Sequence, residues 1–117
     1  MESPSAAITT MEQRYKYALS LLVEQKYIIA IKEFESIINT APDSEYAEVS
    51  QINIGRTYFL NGDYKRALKA YEKVLEKYPG TKKTEEILER EYQLGIAQMD
   101  TNEEAAIKVF EKIIEKH

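Results

Sequence analysis

Apolar residues recur along most of this chain at intervals of three and four positions, which is the pattern of helices with one buried face. No segment alternates between apolar and polar residues over a useful length, so no β-strand is predicted. The pattern predicts six helices at roughly 10–24, 27–40, 44–60, 63–77, 82–99 and 102–116. The chain is therefore expected to be all-α.

Cap residues set several of the predicted helix ends. Thr9 with Glu12, and Thr101 with Glu104, have the spacing of capping boxes, in which two side chains bond the free amides of a first turn. Asn61-Gly62-Asp63 predicts a turn followed by an N-cap. These signals place helix starts near the beginning, the middle and the last quarter of the chain.

A repeated motif organises the helices into pairs. The pattern Ala-x-x-x-aromatic-x-x-aliphatic occurs three times: Ala30, Phe34, Ile37; Ala67, Tyr71, Val74; Ala106, Phe110, Ile113. A second helical stretch precedes each copy and carries a small residue: Ala18, Gly55 or Gly95. The alanines recur after 37 and 39 residues, a period typical of stacked helix pairs.

The repeated residues predict how each pair packs. The small residue on the first helix and the alanine on the second allow the two backbones to approach closely. Phe34, Tyr71 and Phe110 are then expected to fill the wider end of each wedge. Glycine inside a helix costs about 1 kcal/mol relative to alanine, so Gly55 and Gly95 need a packing reason of this kind.

One whole unit of this repeat resembles the consensus of the tetratricopeptide repeat family. The matching residues are Ile54-Gly55, Tyr58, Gly62-Asp63-Tyr64, Ala67, Tyr71 and Pro79. Matches in the first and third units extend the resemblance over residues 11–117. It implies a right-handed α-α superhelix of three helix hairpins. The implied organisation is a flexible leader at 1–9 and a single domain at 10–117, with repeats at about 11–43, 44–80 and 81–117.

Two features depart from the family pattern. A large apolar residue usually stands four positions before the small one, and here Arg14, Gln51 and Glu91 occupy that place. The opening of each first helix is therefore expected to be less buried than usual, or its register to differ. The period also exceeds the family's usual length of about 34 residues. The extra residues lie between the proline and the next first helix.

The longer period is similar to that of the bacterial cell-envelope branch of the family. The turns Ala41-Pro42-Asp43-Ser44 and Tyr78-Pro79-Gly80-Thr81 add to this resemblance. The branch includes the outer-membrane β-barrel assembly lipoprotein and the periplasmic coordinator of the Tol-Pal system. It implies a periplasmic or outer-membrane-associated location, with the cytoplasm as the alternative, and allows a lipid anchor upstream of Met1. The third repeat stops before its proline position, so the chain is expected to continue past His117.

Composition narrows the classes of function. Sixteen Lys and Arg against twenty Asp and Glu give a net charge of −4, which provides no general attraction to nucleic acid or anionic lipid. The absence of Cys, with His117 the single histidine, removes the atoms for thiolate chemistry, Cys/His metal sites and imidazole triads. Close carboxylate pairs such as Glu85-Glu86 are expected to be solvated helix starts, so neither catalysis nor a cofactor is predicted. No run approaches the roughly 18 apolar residues of a membrane span.

The resemblance implies that the first helices line a concave face. The positions that would project there are mostly apolar with one cation: Tyr15, Leu19, Leu22, Ile52, Arg56, Phe59, Tyr92, Ile96 and Met99. Such a groove suits an extended or helical peptide with two or three apolar anchors and one carboxylate for Arg56. The alternative is that this stripe packs inside the array and meets no partner.

A non-enzymatic scaffold that binds a protein or peptide in outer-membrane protein assembly is therefore the predicted function. A generic cytosolic adaptor or an oligomerising structural module is the alternative. The oligomerising hypothesis rests on an apolar face of the last helix, formed by Ile107, Phe110, Ile113 and Ile114. A clamp for an acidic peptide tail is disfavoured, because Glu91 would repel a carboxylate.

Overall fold

The computed structural model describes residues 10–99 and 103–116, which contain six α-helices and no strand. The helices are α1 (Met11–Val23), α2 (Tyr27–Thr40), α3 (Glu45–Leu60), α4 (Tyr64–Lys77), α5 (Thr84–Met99) and α6 (Glu103–Lys116). Each lies within two residues of its predicted ends. The all-α prediction and the arrangement in helix hairpins are confirmed, with α1, α3 and α5 as the first helices of the three hairpins.

The start of α1 differs from the prediction by one residue. Thr10, in extended backbone, is the N-cap, and its Oγ1 accepts a hydrogen bond from the Gln13 amide at 3.1 Å. The predicted cap at Thr9 with Glu12 is wrong, because Thr10 and Gln13 have the same capping-box spacing and the sequence offers both. The second predicted box begins at Thr101, which lies outside the described residues.

The turns after α1 and α3 share one backbone arrangement. Their closing hydrogen bonds run from the Lys26 amide to the Leu21 carbonyl oxygen and from the Asp63 amide to the Tyr58 carbonyl oxygen, both at 2.9 Å. The residue before each donor has a positive φ, 62° at Gln25 and 79° at Gly62. This pattern satisfies the last carbonyls of a helix and is usually built on glycine. Asp63 then caps α4 as predicted, since its Oδ1 accepts from the Arg66 amide at 3.2 Å.

The chain divides into two compact units, Met1–Val74 and Leu75–His117. In the first unit α1 packs on α2, α2 packs on α3, and α1 also contacts α3. They share a core cluster with α4, which consists of Ala18, Leu21, Ala30, Ile31, Phe34, Ile54 and, from α4, Ala70. In the second unit α6 packs on α5. The single domain at 10–117 stays a prediction.

In the second and third hairpins an aromatic ring lies against the glycine, where the sequence predicted contact between the glycine and the repeat alanine. A Cβ atom added to Gly55 would lie 2.7 Å from Cε1 of Tyr71, and one added to Gly95 would lie 2.6 Å from Cε1 of Phe110. Each aromatic ring therefore packs directly on the helix backbone at the glycine. The side chain of Ala106, the third repeat alanine, lies outside the described part of the chain.

The polar residues at the family's apolar position are more buried than expected. Gln51 is buried, and its Nε2 donates a hydrogen bond to the Ala70 carbonyl oxygen on α4 at 3.3 Å. Arg14 is half-buried and donates from Nη2 to the Ser36 hydroxyl on α2. Glu91 is also buried. The expectation of open helix starts is wrong for Gln51 and Glu91; Gln51 bonds the second helix of its own hairpin.

Candidate functional site

The first helices α1 and α3 meet at three hydrogen-bonded polar side chains. Asn53 donates from Nδ2 to the Tyr15 hydroxyl oxygen at 2.6 Å and to the Val49 carbonyl oxygen at 3.0 Å. Arg56 donates from Nη1 to Oδ1 of Asn53 at 3.1 Å. We call Tyr15, Asn53 and Arg56 the Tyr15 triad. The triad joins two of the predicted site residues, Tyr15 and Arg56, through an asparagine between them.

Sequence reasoning missed Asn53, whose side chain is almost fully buried. Its position three residues before Arg56 places the two side chains on the same face of α3, and that spacing was the available signal. A buried amide is stable only when its polar atoms are paired. The Asn53 amide group meets this requirement by bridging α1 and α3, which fixes the guanidinium of Arg56 at one end of the bridge.

Tyr15 is the aromatic centre of this site. Its ring lies 6.0 Å from the ring of Phe34 and 5.8 Å from that of Tyr46, both in tilted orientations. Burial raises the pKa of the Tyr15 phenol above its ordinary value, although the hydrogen bond from Asn53 and the charge of Arg56 both lower it. The phenol is therefore neutral at physiological pH. Its oxygen accepts from Asn53, and this bond does not use the phenol's own proton.

The other predicted site residues of α1 and α3 divide into two groups. Leu19 and Leu22 are half-buried against the core, and Phe59 is half-buried with its ring 5.5 Å from that of Tyr64. Ile52 is only 1% exposed and belongs to the core, so its placement on a peptide-facing wall is corrected. The reason is that α1, α2 and α4 all contact α3, which leaves every residue from 50 to 55 buried.

In the second unit, α5 presents the predicted site residues Tyr92 and Ile96 to solvent. Tyr92 is 56% exposed and Ile96 is 45% exposed, and their spacing of four residues puts them on one helix face. The ring of Tyr92 lies 5.6 Å from that of Phe110 on α6, which supports one side of it. The backbone of Met99 ends α5, and its side chain lies outside the described part of the chain.

A shallow, open depression on α5 is lined by Glu86, Glu89, Arg90 and Gln93, all from that one helix. Across the described residues, no group of three or more His, Asp or Glu side chains is placed to hold a metal ion. None of the described helices has the length and apolar character that crossing a bilayer requires.

Solved structures share this fold. One is the crystal structure of a variant of a Podosopora anserina protein, described as a kinesin light chain with nearly identical TPR-like repeats. It is 19% identical to this chain, with a TM-score of 0.53, over 99% of this chain and 57% of the other. The chain therefore spans little more than half the length of that protein, and the likeness shows the fold alone. No curated protein matches the chain.

The family itself comes from a match to almost the whole sequence. The family model described as YfiO, outer membrane lipoprotein, matches residues 8–116. This range includes every described helix and all of the predicted site residues. The match and the repeat fold together confirm the resemblance to the cell-envelope branch of tetratricopeptide repeat proteins. The chain belongs to the YfiO family of outer membrane lipoproteins.

Proposed function

We propose that this chain is a non-enzymatic scaffold of the bacterial cell envelope that binds a partner peptide along its first helices during outer-membrane protein assembly. Membership of an outer membrane lipoprotein family supports the envelope location. Repeat folds of this type are generally modules for protein interaction. The observation that carries the proposal is the Tyr15 triad, because it holds a cation and a neutral phenol in fixed positions on the first helices.

The triad gives the first unit a polar recognition point. A guanidinium has five N–H donors in a planar fork that suits a carboxylate or a peptide carbonyl group. The bond from Arg56 to Asn53 restricts this fork before any partner arrives, so less side-chain entropy is lost on binding. Leu19 and Phe59, both half-buried, provide apolar contacts on the same two helices. A peptide with an acidic residue between apolar residues fits this chemistry.

The second unit provides apolar anchor points. Tyr92 and Ile96 expose large side chains one turn apart on α5, and the Phe110 ring restrains Tyr92. A tyrosine held in this way gives contact area at a low cost in entropy, which is why tyrosine is enriched among the residues that dominate binding energy. We infer that Tyr92 contributes more to partner binding than any other exposed side chain of α5.

The proposal is tested by capturing partners from separate envelope and cytosolic extracts. A partner found in the envelope extract is then titrated against the wild type and two variants, Arg56→Ala and Tyr92→Ala. Each of these two substitutions should weaken the free energy of binding by about 2 kcal/mol, or roughly thirtyfold in Kd, as is typical of residues that dominate an interface. Arg56→Ala should also reduce the dependence of binding on salt, because it removes a charge.

The matched controls are Lys69→Ala and Ile114→Ala. Lys69 is an exposed cation on α4, the second helix of its hairpin, and Ile114 is an exposed apolar residue on α6. Both controls should bind like the wild type. Equal binding by Arg56→Ala, Tyr92→Ala and the wild type, with the fold intact, would contradict the proposal. Capture from the cytosolic extract alone would contradict the envelope location.

A further inference from the structure

The exposed large apolar side chains described in the first unit all lie beside its two hairpin turns. These residues are Val23, Ile28, Ile29, Leu60 and Tyr64, with exposed fractions between 38% and 82%. Each is within three residues of the turn at 24–26 or the turn at 61–63. We call these five residues the turn edge. Their clustering is unusual, because scattered surface apolar residues are normal but clustered ones mark contact surfaces.

Both turns lie at the same end of the first unit. Arg14, near the start of α1, bonds Ser36, near the end of α2, so these helices are antiparallel. After Thr40 a short connection reverses the direction of the chain, so α3 runs antiparallel to α2. It is therefore parallel to α1. The rings of Tyr15 and Tyr46, both near helix starts, are 5.8 Å apart and agree with this direction. The C-terminal ends of α1 and α3 consequently lie side by side, and the turns that follow them form one edge.

The turn edge is surrounded by positive charge. Segments 20–33 and 57–69 contain five Lys and Arg against three Asp and Glu, a net charge of +2 in a chain whose total is −4. Two of the three carboxylates are in ion pairs, Glu24 with Lys26 at 3.2 Å and Asp63 with Arg66 at 2.8 Å. Three exposed lysines form no ion pair with any residue that the structure describes: Lys32, Lys65 and Lys69.

The opposite end of the first unit has a different surface. Its exposed charged side chains include the carboxylates Glu12, Asp43 and Glu45 and the cations Lys16 and Lys73. Lys16, on the second turn of α1, is paired with Glu12 at 3.2 Å. No large apolar side chain is exposed there among the described residues. Outside segments 20–33 and 57–69, the described first unit contains six Asp and Glu against four Lys and Arg. The unit therefore has one apolar, cationic end and one polar end of net negative charge, about 20 Å apart along α1 at 1.5 Å per residue.

We propose that the turn edge binds the surface of an anionic phospholipid bilayer. The apolar side chains would enter the boundary between headgroups and acyl chains, and the three unpaired lysines would contact anionic headgroups. Lysine suits this position because its apolar stem can lie beside Leu60 or Ile28 while the ammonium stays in water. Charge complementarity decides the occupant: the cationic end is attracted to the surface and the end of net negative charge is repelled, which fixes one orientation. This inference goes beyond the proposed peptide scaffold and does not depend on it.

The first test measures binding of the purified chain to vesicles of phosphatidylethanolamine with phosphatidylglycerol, and to vesicles of phosphatidylcholine alone. We expect binding to the anionic vesicles, weakened by salt, and little binding to the neutral ones. Ile28→Gln with Leu60→Gln should lower the partition coefficient at least about tenfold. Lys32→Gln with Lys65→Gln and Lys69→Gln should abolish the preference for anionic vesicles, since each cation near such a surface contributes about fivefold.

The matched control is Ile107→Gln with Ile114→Gln, which removes two exposed isoleucines from α6 instead. This variant should bind vesicles like the wild type. Failure of the wild type to bind anionic vesicles overturns the proposal and leaves the turn edge to a protein partner. Equal losses in the control and in the Ile28 and Leu60 variant also overturn it, because binding would then follow total apolar exposure.

The second test reports on orientation. The chain has no tryptophan, so Tyr64→Trp places a single fluorescent reporter on the turn edge, and Asn39→Trp places one at the opposite end. With anionic vesicles, the Tyr64→Trp emission should shift to shorter wavelength, and lipids brominated on their acyl chains should quench it. The Asn39→Trp emission should not change. Equal shifts at both positions, or none at Tyr64→Trp, contradict the proposed orientation.

Discussion

The ring of Tyr71 lies directly on the backbone of α3 at Gly55, so closely that a Cβ atom there would be 2.7 Å from Cε1 of the ring. Tyr71 is fully buried, so its ring has little room to shift within a close-packed core. The same relationship joins Gly95 to Phe110, but Phe110 is only half-buried. In these two hairpins the close approach of the helices therefore depends on the absence of a side chain at the glycine. The less room the facing ring has to shift, the more an added methyl group should destabilise the hairpin.

Gly55→Ala should destabilise the protein because the added methyl overlaps a ring that has little room to move. Overpacking of this kind costs about 1–3 kcal/mol, against a gain of up to about 1 kcal/mol in helix propensity. Gly95→Ala should cost less, because the half-buried Phe110 can shift. Urea unfolding of both variants gives the comparison. A gain in stability from Gly55→Ala would show that the ring does not limit the approach.

Ala67→Leu tests the register of the second hairpin. Ala67 is fully buried, so the larger side chain should overpack the hairpin and cost about 1–3 kcal/mol in the free energy of unfolding. Lys69→Leu, two residues further along α4 on the exposed side, should change stability by less than about 0.5 kcal/mol. Thermal unfolding of both variants measures the difference. Equal shifts in Tm would be inconsistent with the assigned face of α4.

Gln25→Gly should stabilise the protein. Gln25 has a φ of 62°, which is strained for residues with a Cβ atom and free of strain for glycine. Relief of this strain, less the greater entropy that glycine has in the unfolded chain, should give about 0.5–1 kcal/mol. Gly62→Gln, at the equivalent position of the other turn, is the reciprocal variant and should lose a similar amount. Opposite signs for the two variants in chemical denaturation are expected; a loss at both positions would argue against a shared turn.

Asp63 should give α4 a dependence on acid. The hydrogen bond from Arg66 holds the pKa of the Asp63 carboxyl below its ordinary value of 3.8, so the folded state favours the ionised form. This stabilisation is complete above pH 3.8 and is lost as the pH falls through the lowered pKa. Asp63→Ala should cost about 1 kcal/mol at neutral pH because the cap is lost. Asp63→Asn keeps an acceptor for the Arg66 amide but cannot ionise, so the free energy of unfolding should fall less at acid pH than in the wild type. An unchanged loss of stability at acid pH would mean that other carboxylates cause it.

The repeat architecture was predictable because its signals are local and occur three times. Each hairpin has a small residue, an alanine and an aromatic residue at nearly constant spacing, which locates the three hairpins in the sequence. The direct contact between Gly55 and Tyr71 was not predicted. Helix ends were less certain where adjacent residues offer the same chemistry. Thr9 and Thr10 are one such case, because each is followed three residues later by a Glu or Gln that can complete a capping box.

The candidate site was only partly predictable, because burial depends on how many neighbours a helix has. Ile52 has the spacing of a groove residue, but α3 is covered by three helices and the side chain is enclosed. Asn53 has the composition of a surface residue, yet it is buried as the bridge between Tyr15 and Arg56. The burial of Ile52 follows from the contacts of α3 with three helices, and that of Asn53 from the contact between α1 and α3. Helix periodicity contains no information about contacts between helices.

Hydroxyl-radical footprinting of the tyrosines, with and without a captured envelope partner, is the most direct test of peptide binding along the first helices. Tyr92 on α5 and Tyr64 on α4 are both exposed, so both should be labelled in the free protein. The scaffold proposal predicts that the partner protects Tyr92, with a smaller decrease at the half-buried Tyr15, and leaves Tyr64 unchanged. Protection of Tyr64 with full labelling of Tyr92 and Tyr15 would contradict it and place the partner on the turn edge.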